Sequence, residues 1–187
     1  MRSNLQSDLD ANRRWPLPSQ VACGAYAQLQ HLRILVINDD HGVSQFLQLL
    51  LEGDGHLVLT TDRGTTGVEL AALRPDLIIC DMKMPGLDGF GVLRAVRHNS
   101  HTEDIPFIFL TGSVDTDDMR RGVALGADDC VAMPFAKKDL AAAIAASCYK
   151  HELLQLRLRI SAGLGQPELN APLLATFAAA DRLRPIG

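Results

Sequence analysis

Paired cysteines, long apolar runs and an excess of cations are all missing from this chain, and each absence removes a class of function. Lys and Arg number 18 against 22 Asp and Glu in 187 residues, a formal net charge of −4. Nucleic-acid binding ordinarily needs a basic face, so the expectation is no nucleic-acid partner. No apolar run approaches the roughly 20 residues of a membrane span, and no membrane partner is expected. The N-terminus has one early Arg, then Asp8 and Asp10, and no apolar stretch, so no signal peptide is read there. A soluble, cytoplasmic protein is the expectation. The four cysteines, Cys23, Cys80, Cys130 and Cys148, form no Cys-x-x-Cys pair. A disulfide framework is not expected in a chain that is 47% hydrophobic, and Cys80 and Cys148 read as ordinary buried thiols. Gly64 to Gly67 lacks the Lys-Ser/Thr ending of a phosphate-binding loop.

What is present is an alternation of two periods. Residues 1–30 show none and read as a leader. Leu32 to Ile37 is apolar and ends at Asn38-Asp39-Asp40; Val43 to Glu52 then has helical spacing, with Val43, Phe46, Leu47, Leu50 and Leu51. A second strand is expected at His56 to Thr60, a helix at Thr65 to Leu73, and a third strand at Leu77 to Cys80. Further helices are expected at Asp88 to His98 and Thr116 to Leu125, around a strand at Pro106 to Leu110. A short fifth strand at Cys130 to Ala132 precedes a long helix from Lys137 to about Ile160. Five strand–helix repeats imply a parallel sheet covered on both faces. The expected organisation is a leader over 1–30, a domain over 31–150, and a helical extension and tail over 151–187, with one short helix at Leu173 to Leu183.

In such a sheet the polar residues at strand exits lie along one edge, where ligands bind. Asp81 follows the apolar run Leu77-Ile78-Ile79-Cys80. Alone, it would be read as a turn or cap residue. Asp39 at another strand exit changes that reading. Two carboxylates with few cations nearby repel and raise each other's pKa. Mg²⁺ relieves this, accepting one or two carboxylates and keeping several waters. A carboxylate beside Mg²⁺ is also a nucleophile toward phosphorus, and Thr111 at the fourth strand exit supplies a hydroxyl for the new phosphoryl oxygens. His98, His101, Glu103 and Asp104 read as a solvated loop rather than a metal site. Asp115, Asp117 and Asp118 suit the first turn of a helix.

Four segments together resemble a response-regulator receiver domain, the phosphoacceptor module of two-component signalling. They are Ile34 to Asp40, Pro75 to Gly89, Ile105 to Gly112, and Gly126 to Asp129 leading to Pro134-Phe135. The resemblance spans roughly Leu32 to Tyr149. It implies a flavodoxin-like (βα)5 doubly wound sheet of strand order 2-1-3-4-5, here with an extended C-terminal helix. It further implies a phosphorylated Asp81, Mg²⁺ held by Asp39, Asp81 and the Lys83 carbonyl, and Thr111 as switch hydroxyl. Three positions depart from the family. Met133 stands where a lysine is usual, Asn38 where the first acidic residue is usual, and Cys130 where an aromatic is usual. Met cannot donate a hydrogen bond, and Asn38 removes a charge that would help hold Mg²⁺.

The expected function is that of a stand-alone phosphoacceptor, not an enzyme. It would be phosphorylated by a histidine kinase or phosphotransfer protein and act by contact with a downstream protein. The alternative is a pseudo-receiver that signals without phosphorylation. The leucines beyond Tyr149 either pair with a second copy, giving a homodimer through the C-terminal helix, or fold back on their own domain.

Overall fold

The computed structural model describes residues 31–112 and 116–162. The expected leader (residues 1–30), Cys23, Asp115 and the helix expected at Leu173 to Leu183 lie outside the described residues. Five strands, β1 (Arg33–Ile37), β2 (Leu57–Thr61), β3 (Leu77–Asp81), β4 (Phe107–Thr111) and β5 (Asp129–Ala132), alternate with five helices. These are α1 (His41–Gly53), α2 (Gly64–Ala71), α3 (Gly89–Arg97), α4 (Thr116–Ala124) and α5 (Lys137–Ser161). All pairings are parallel and the strand order is β2-β1-β3-β4-β5. Each strand matches its expected segment to within a residue.

Strict side-chain alternation divides the apolar runs between two cores. Leu35, Ile37, Ile78, Cys80, Phe107 and Phe109 face α2 and α3 and meet Ala71, Phe90, Val92, Leu93 and Val96. Ile34, Val36, Leu77, Ile79, Ile108 and Leu110 face α1 and α5 and meet Leu47, Leu51, Leu140 and Ile144. Burial on both faces is why the runs are continuously apolar.

The chain leaves β1 toward β2 on one side and returns to place β3 on the other. Strand order therefore reverses at the carboxyl ends of β1 and β3, the place where such sheets bind ligands. Asp40 fixes one side of that place by capping α1, its Oδ1 accepting from the amides of Gly42 and Val43 at 2.7 and 3.1 Å. Asp88 fixes the other by capping α3 through the Gly91 amide at 2.8 Å. At Gly89 the helix start lies on the end of β3: a Cβ there would sit 2.2 Å from the Asp81 carbonyl oxygen. Gly86 in the intervening loop has φ +77°, a left-handed conformation natural to glycine.

Helix α5 runs 25 residues, about 37 Å, against about 17 Å for a five-residue strand. Its first half is welded to the sheet by Leu140, Ala143, Ile144 and Cys148. Beyond Tyr149 its leucines emerge: Leu154 is 49% and Leu158 63% exposed. The described part of the extension thus projects instead of folding back on its own sheet. No helix among the described residues is long and apolar enough to cross a membrane.

Candidate functional site

Asp81 is the last residue of β3, paired in register with Leu110 of β4, so it stands beside Thr111 at the end of the neighbouring strand. The sheet holds it rigidly. The Met82 amide donates to the Leu110 carbonyl at 3.1 Å, and the Gly89 amide donates to the Met82 carbonyl at 3.1 Å. The carboxylate itself accepts from the Lys83 backbone amide at 3.1 Å. Thr111 is buried, and its carbonyl accepts from the Met133 amide at 2.7 Å. That bond brings the exit of β5 to the same edge.

Partial burial pushes the Asp81 carboxyl above the usual carboxylate range; the amide of Lys83 opposes this, and the negative charges of Asp39 and then Asp40 add to it. Asp39 is therefore close enough to act on Asp81 through space, as the strand-exit argument expects. The two neighbours differ in use. Asp40 is committed to capping α1, whereas Asp39 is exposed at the lip.

Asn38 is completely buried. Its Oδ1 accepts from the Asp40 amide at 2.8 Å, and its backbone carbonyl accepts from the Ser44 hydroxyl at 3.1 Å. Its Nδ2 has no hydrogen-bond partner among the described residues. A buried amide donor left in this way costs free energy. Its side-chain oxygen already shapes the turn that presents Asp39.

Among the described residues no group of three or more His, Cys, Asp or Glu side chains could hold a metal. The expected donors are two carboxylates and one carbonyl, from Asp39, Asp81 and Lys83. Such a sparse all-oxygen set with uncompensated negative charge suits Mg²⁺, which keeps most of its waters, and not an all-protein cage. The raised Asp81 carboxyl is the local sign of that uncompensated charge. In the loop of His98 and His101, Asp104 pairs with Arg74 at 2.8 Å.

Met133 is half-buried at the end of β5 and begins a cis bond to Pro134. Cys130 is half-buried too, its thiol pushed up to about 11 by burial and by Asp129. Gly122 of α4 packs over it: a Cβ there would lie 3.0 Å from the Phe109 ring and 3.4 Å from the Cys130 sulfur. Two features escaped the sequence reading. The sequence reads the Lys83 side chain as a solvated loop charge, but its ammonium lies 3.2 Å from Asp118 in α4. The Arg121 guanidinium stacks 4.3 Å over the Phe90 ring. Both join elements about 30 residues apart, and no local period signals such a pair.

Comparisons with known proteins agree with this geometry. Residues 34–145 match the model of the response regulator receiver domain. The chain is 35% identical over 121 residues to the DNA-binding response regulator MtrA of Mycolicibacterium paratuberculosis, covering 64% of this chain and 52% of that protein. The chain thus spans about half the length of that relative. A receiver domain protein from Clostridium thermocellum superposes with a TM-score of 0.61 at 34% identity, over 66% of this chain and 98% of that one. The receiver domain of a sensor histidine kinase from Pseudomonas aeruginosa matches with a TM-score of 0.59 at 25% identity, over 63% of this chain and 98% of that one. That structure has a magnesium ion coordinated in its active-site cleft.

The expectation of no nucleic-acid partner is corrected here, since MtrA is a DNA-binding regulator. A net charge of −4 is a sum over 187 residues; it carries no information on how charge is distributed or on what a regulator contacts. The pseudo-receiver alternative gains no support from these relatives. The sheet order, the acidic edge and the match over residues 34–145 lead to one conclusion: the chain belongs to the response-regulator receiver family of two-component signalling.

Proposed function

We propose that Asp81 is a phosphoacceptor, modified with Mg²⁺ in a two-component phosphorelay, and that the modified protein acts by contact with another protein. The observation that supports this best is the edge of the sheet itself. Asp81 is held by the Lys83 amide, feels the charge of Asp39, and lies on the strand next to the one that ends in Thr111. The receiver unit is taken as residues 31–150, with residues 151–187 as its extension.

In this reading a carboxylate oxygen of Asp81 attacks the phosphorus of a phosphohistidine on a histidine kinase or phosphotransfer protein. The new C–O–P bond forms as the P–N bond breaks, and the imidazole leaves with the electron pair and takes up a proton. Asp39, Asp81 and the Lys83 carbonyl would hold Mg²⁺, which when bound neutralises charge on the transferring oxygens. The rigid end of β3 positions the nucleophile, and the Thr111 hydroxyl donates to a phosphoryl oxygen afterwards. Asn38 lowers the negative charge available to the cation and so weakens its binding.

Incubation with Mg²⁺ and either acetyl phosphate or a phosphorylated kinase tests the reading. The expected result is acid-stable, base-labile phosphate that is absent from Asp81→Asn and lost on chelation of Mg²⁺. No incorporation from any donor would overturn it.

A further inference from the structure

The site has two carboxylates and, where a lysine is usual after β5, the uncharged Met133. A cation nevertheless stands at its mouth. The backbone amide of Lys83 touches the Asp81 carboxylate at 3.1 Å. Its side chain leads away to the third residue of α4, where the ammonium lies 3.2 Å from the Asp118 carboxylate. The pair joins the loop after β3 to the start of α4, across the ends of the two strands that carry Asp81 and Thr111.

We propose that Lys83 is the charge sensor of this site: Asp118 holds it while Asp81 is unmodified, and the phosphoryl group on Asp81 draws it away. The proposal rests on the phosphoacceptor reading of Asp81 and names how that event reaches α4. A phosphoryl group brings nearly two negative charges and three strong acceptors. Asp118 offers a single charge. An ammonium on a four-carbon stem spans about 6 Å with freely rotating donors, and its backbone is already in contact with the modified residue. The lysine side chain is 67% exposed, so it swings without losing packing.

Its departure removes the ion pair between this loop and the first turn of α4. The inner attachments of that helix, the stacking of Arg121 on Phe90 and the packing of Gly122 on Phe109, are untouched by that loss. The first turn of α4 is therefore where modification is read out. The side chain of Lys83 is separable from its carbonyl, the proposed Mg²⁺ ligand, so substitution tests the ammonium alone.

The test measures phosphate incorporation from acetyl phosphate with Mg²⁺, together with amide hydrogen exchange over Thr116–Ala124, in the full chain. In wild type, exchange over that helix accelerates on phosphorylation. K83Q slows incorporation about 10- to 100-fold, the factor carried by a hydrogen bond to a charged group. It also exchanges fast in α4 before any phosphate is added. K83R retains both behaviours, and M133K in the K83Q background restores incorporation by returning a cation to the pocket. D118N also exchanges fast before modification, yet takes up phosphate at least as quickly as wild type, because its lysine is released. Opposite effects of K83Q and D118N on incorporation separate a charge sensor from a surface staple. Wild-type incorporation unaffected by K83Q, or slowed equally by D118N, overturns this proposal alone. A wild-type protein that takes no phosphate overturns the reading of Asp81 and this one with it.

Discussion

At the scale of the residue, the proposed function turns on charges that are present, absent or displaced around one carboxylate. Asn38 shows how a single atom matters. Replacing the usual acid by an amide leaves a fully buried position neutral, and the side-chain oxygen is used to set the Asp40 backbone. Restoring the acid should have two opposite effects. Asn38→Asp buries a third negative charge beside Asp39 and Asp81, costing on the order of 3 kcal/mol without a cation. With Mg²⁺ present the same charge becomes a ligand or a partner for the metal's waters. The variant is therefore expected to melt below wild type in EDTA, and to show about tenfold tighter Mg²⁺ binding by titration calorimetry. An unchanged Mg²⁺ affinity would mean that position 38 does not sense the metal. Asp39 and Asp81 were legible in the sequence because each ends an apolar run. The roles of Asn38 and Lys83 were not, since burial and ion pairing depend on what the fold brings near them.

At the scale of the element, α5 shows how one helix serves two environments. Its first half lies on the core formed by Ile34, Val36 and Ile108, with Leu140 1% and Ile144 5% exposed. Its second half has no sheet beneath it. Leucines of the two halves look alike in sequence, and both stripes fit helical spacing. Their energetic weight differs widely. Leu140→Ala is expected to cost about 2–5 kcal/mol through lost burial and the cavity left behind. Leu158→Glu, at a side chain 63% exposed, should stay within about 0.5 kcal/mol. Urea denaturation at a fixed low protein concentration checks both. A large loss for Leu158→Glu would show that the projecting half is covered in solution. Helix lengths were legible because apolar spacing continues through both halves. Where the sheet ends beneath α5 was not, because that depends on strand length elsewhere in the chain.

At the scale of the whole molecule, the two edges of the sheet respond to pH in opposite senses. At the functional edge, burial and the charge of Asp39 raise the Asp81 carboxyl. A group whose pKa is higher folded than unfolded contributes stability that is complete below its unfolded pKa and is lost as pH rises through its folded one. At the opposite edge, the hydrogen bond from Arg74 holds the Asp104 carboxyl below its ordinary value. Its contribution is complete above the unfolded pKa and is lost as pH falls through the folded value. Over about pH 2 to 7, stability in EDTA should accordingly peak near the ordinary carboxylate value of about 4 and fall on both sides of it. Asp81→Asn should flatten the loss on the rising-pH side alone, and millimolar Mg²⁺ should do the same in wild type. Thermal melts across that pH range provide the check. A profile on the rising side that is the same in wild type and Asp81→Asn would remove Asp81 as its source.

The sequence by itself determined the alternation of strands and helices, and with it the parallel sheet and the edge at which Asp81 and Thr111 end their strands and Asp39 follows its own. Periodicity of apolar residues is a local property, set by the geometry of each element, and survives in the linear chain. The family likeness supplied the strand order, which local alternation leaves open. Only the tertiary structure decided which charges compensate one another. It placed Lys83 on Asp118, Arg121 on Phe90, Asp104 on Arg74, and Asn38 wholly out of solvent. Coulombic and desolvation energies depend on distance and burial in three dimensions. For that reason the carboxylate proposed as phosphoacceptor is legible from its strand, whereas the pairing of Lys83 with Asp118 required the folded molecule.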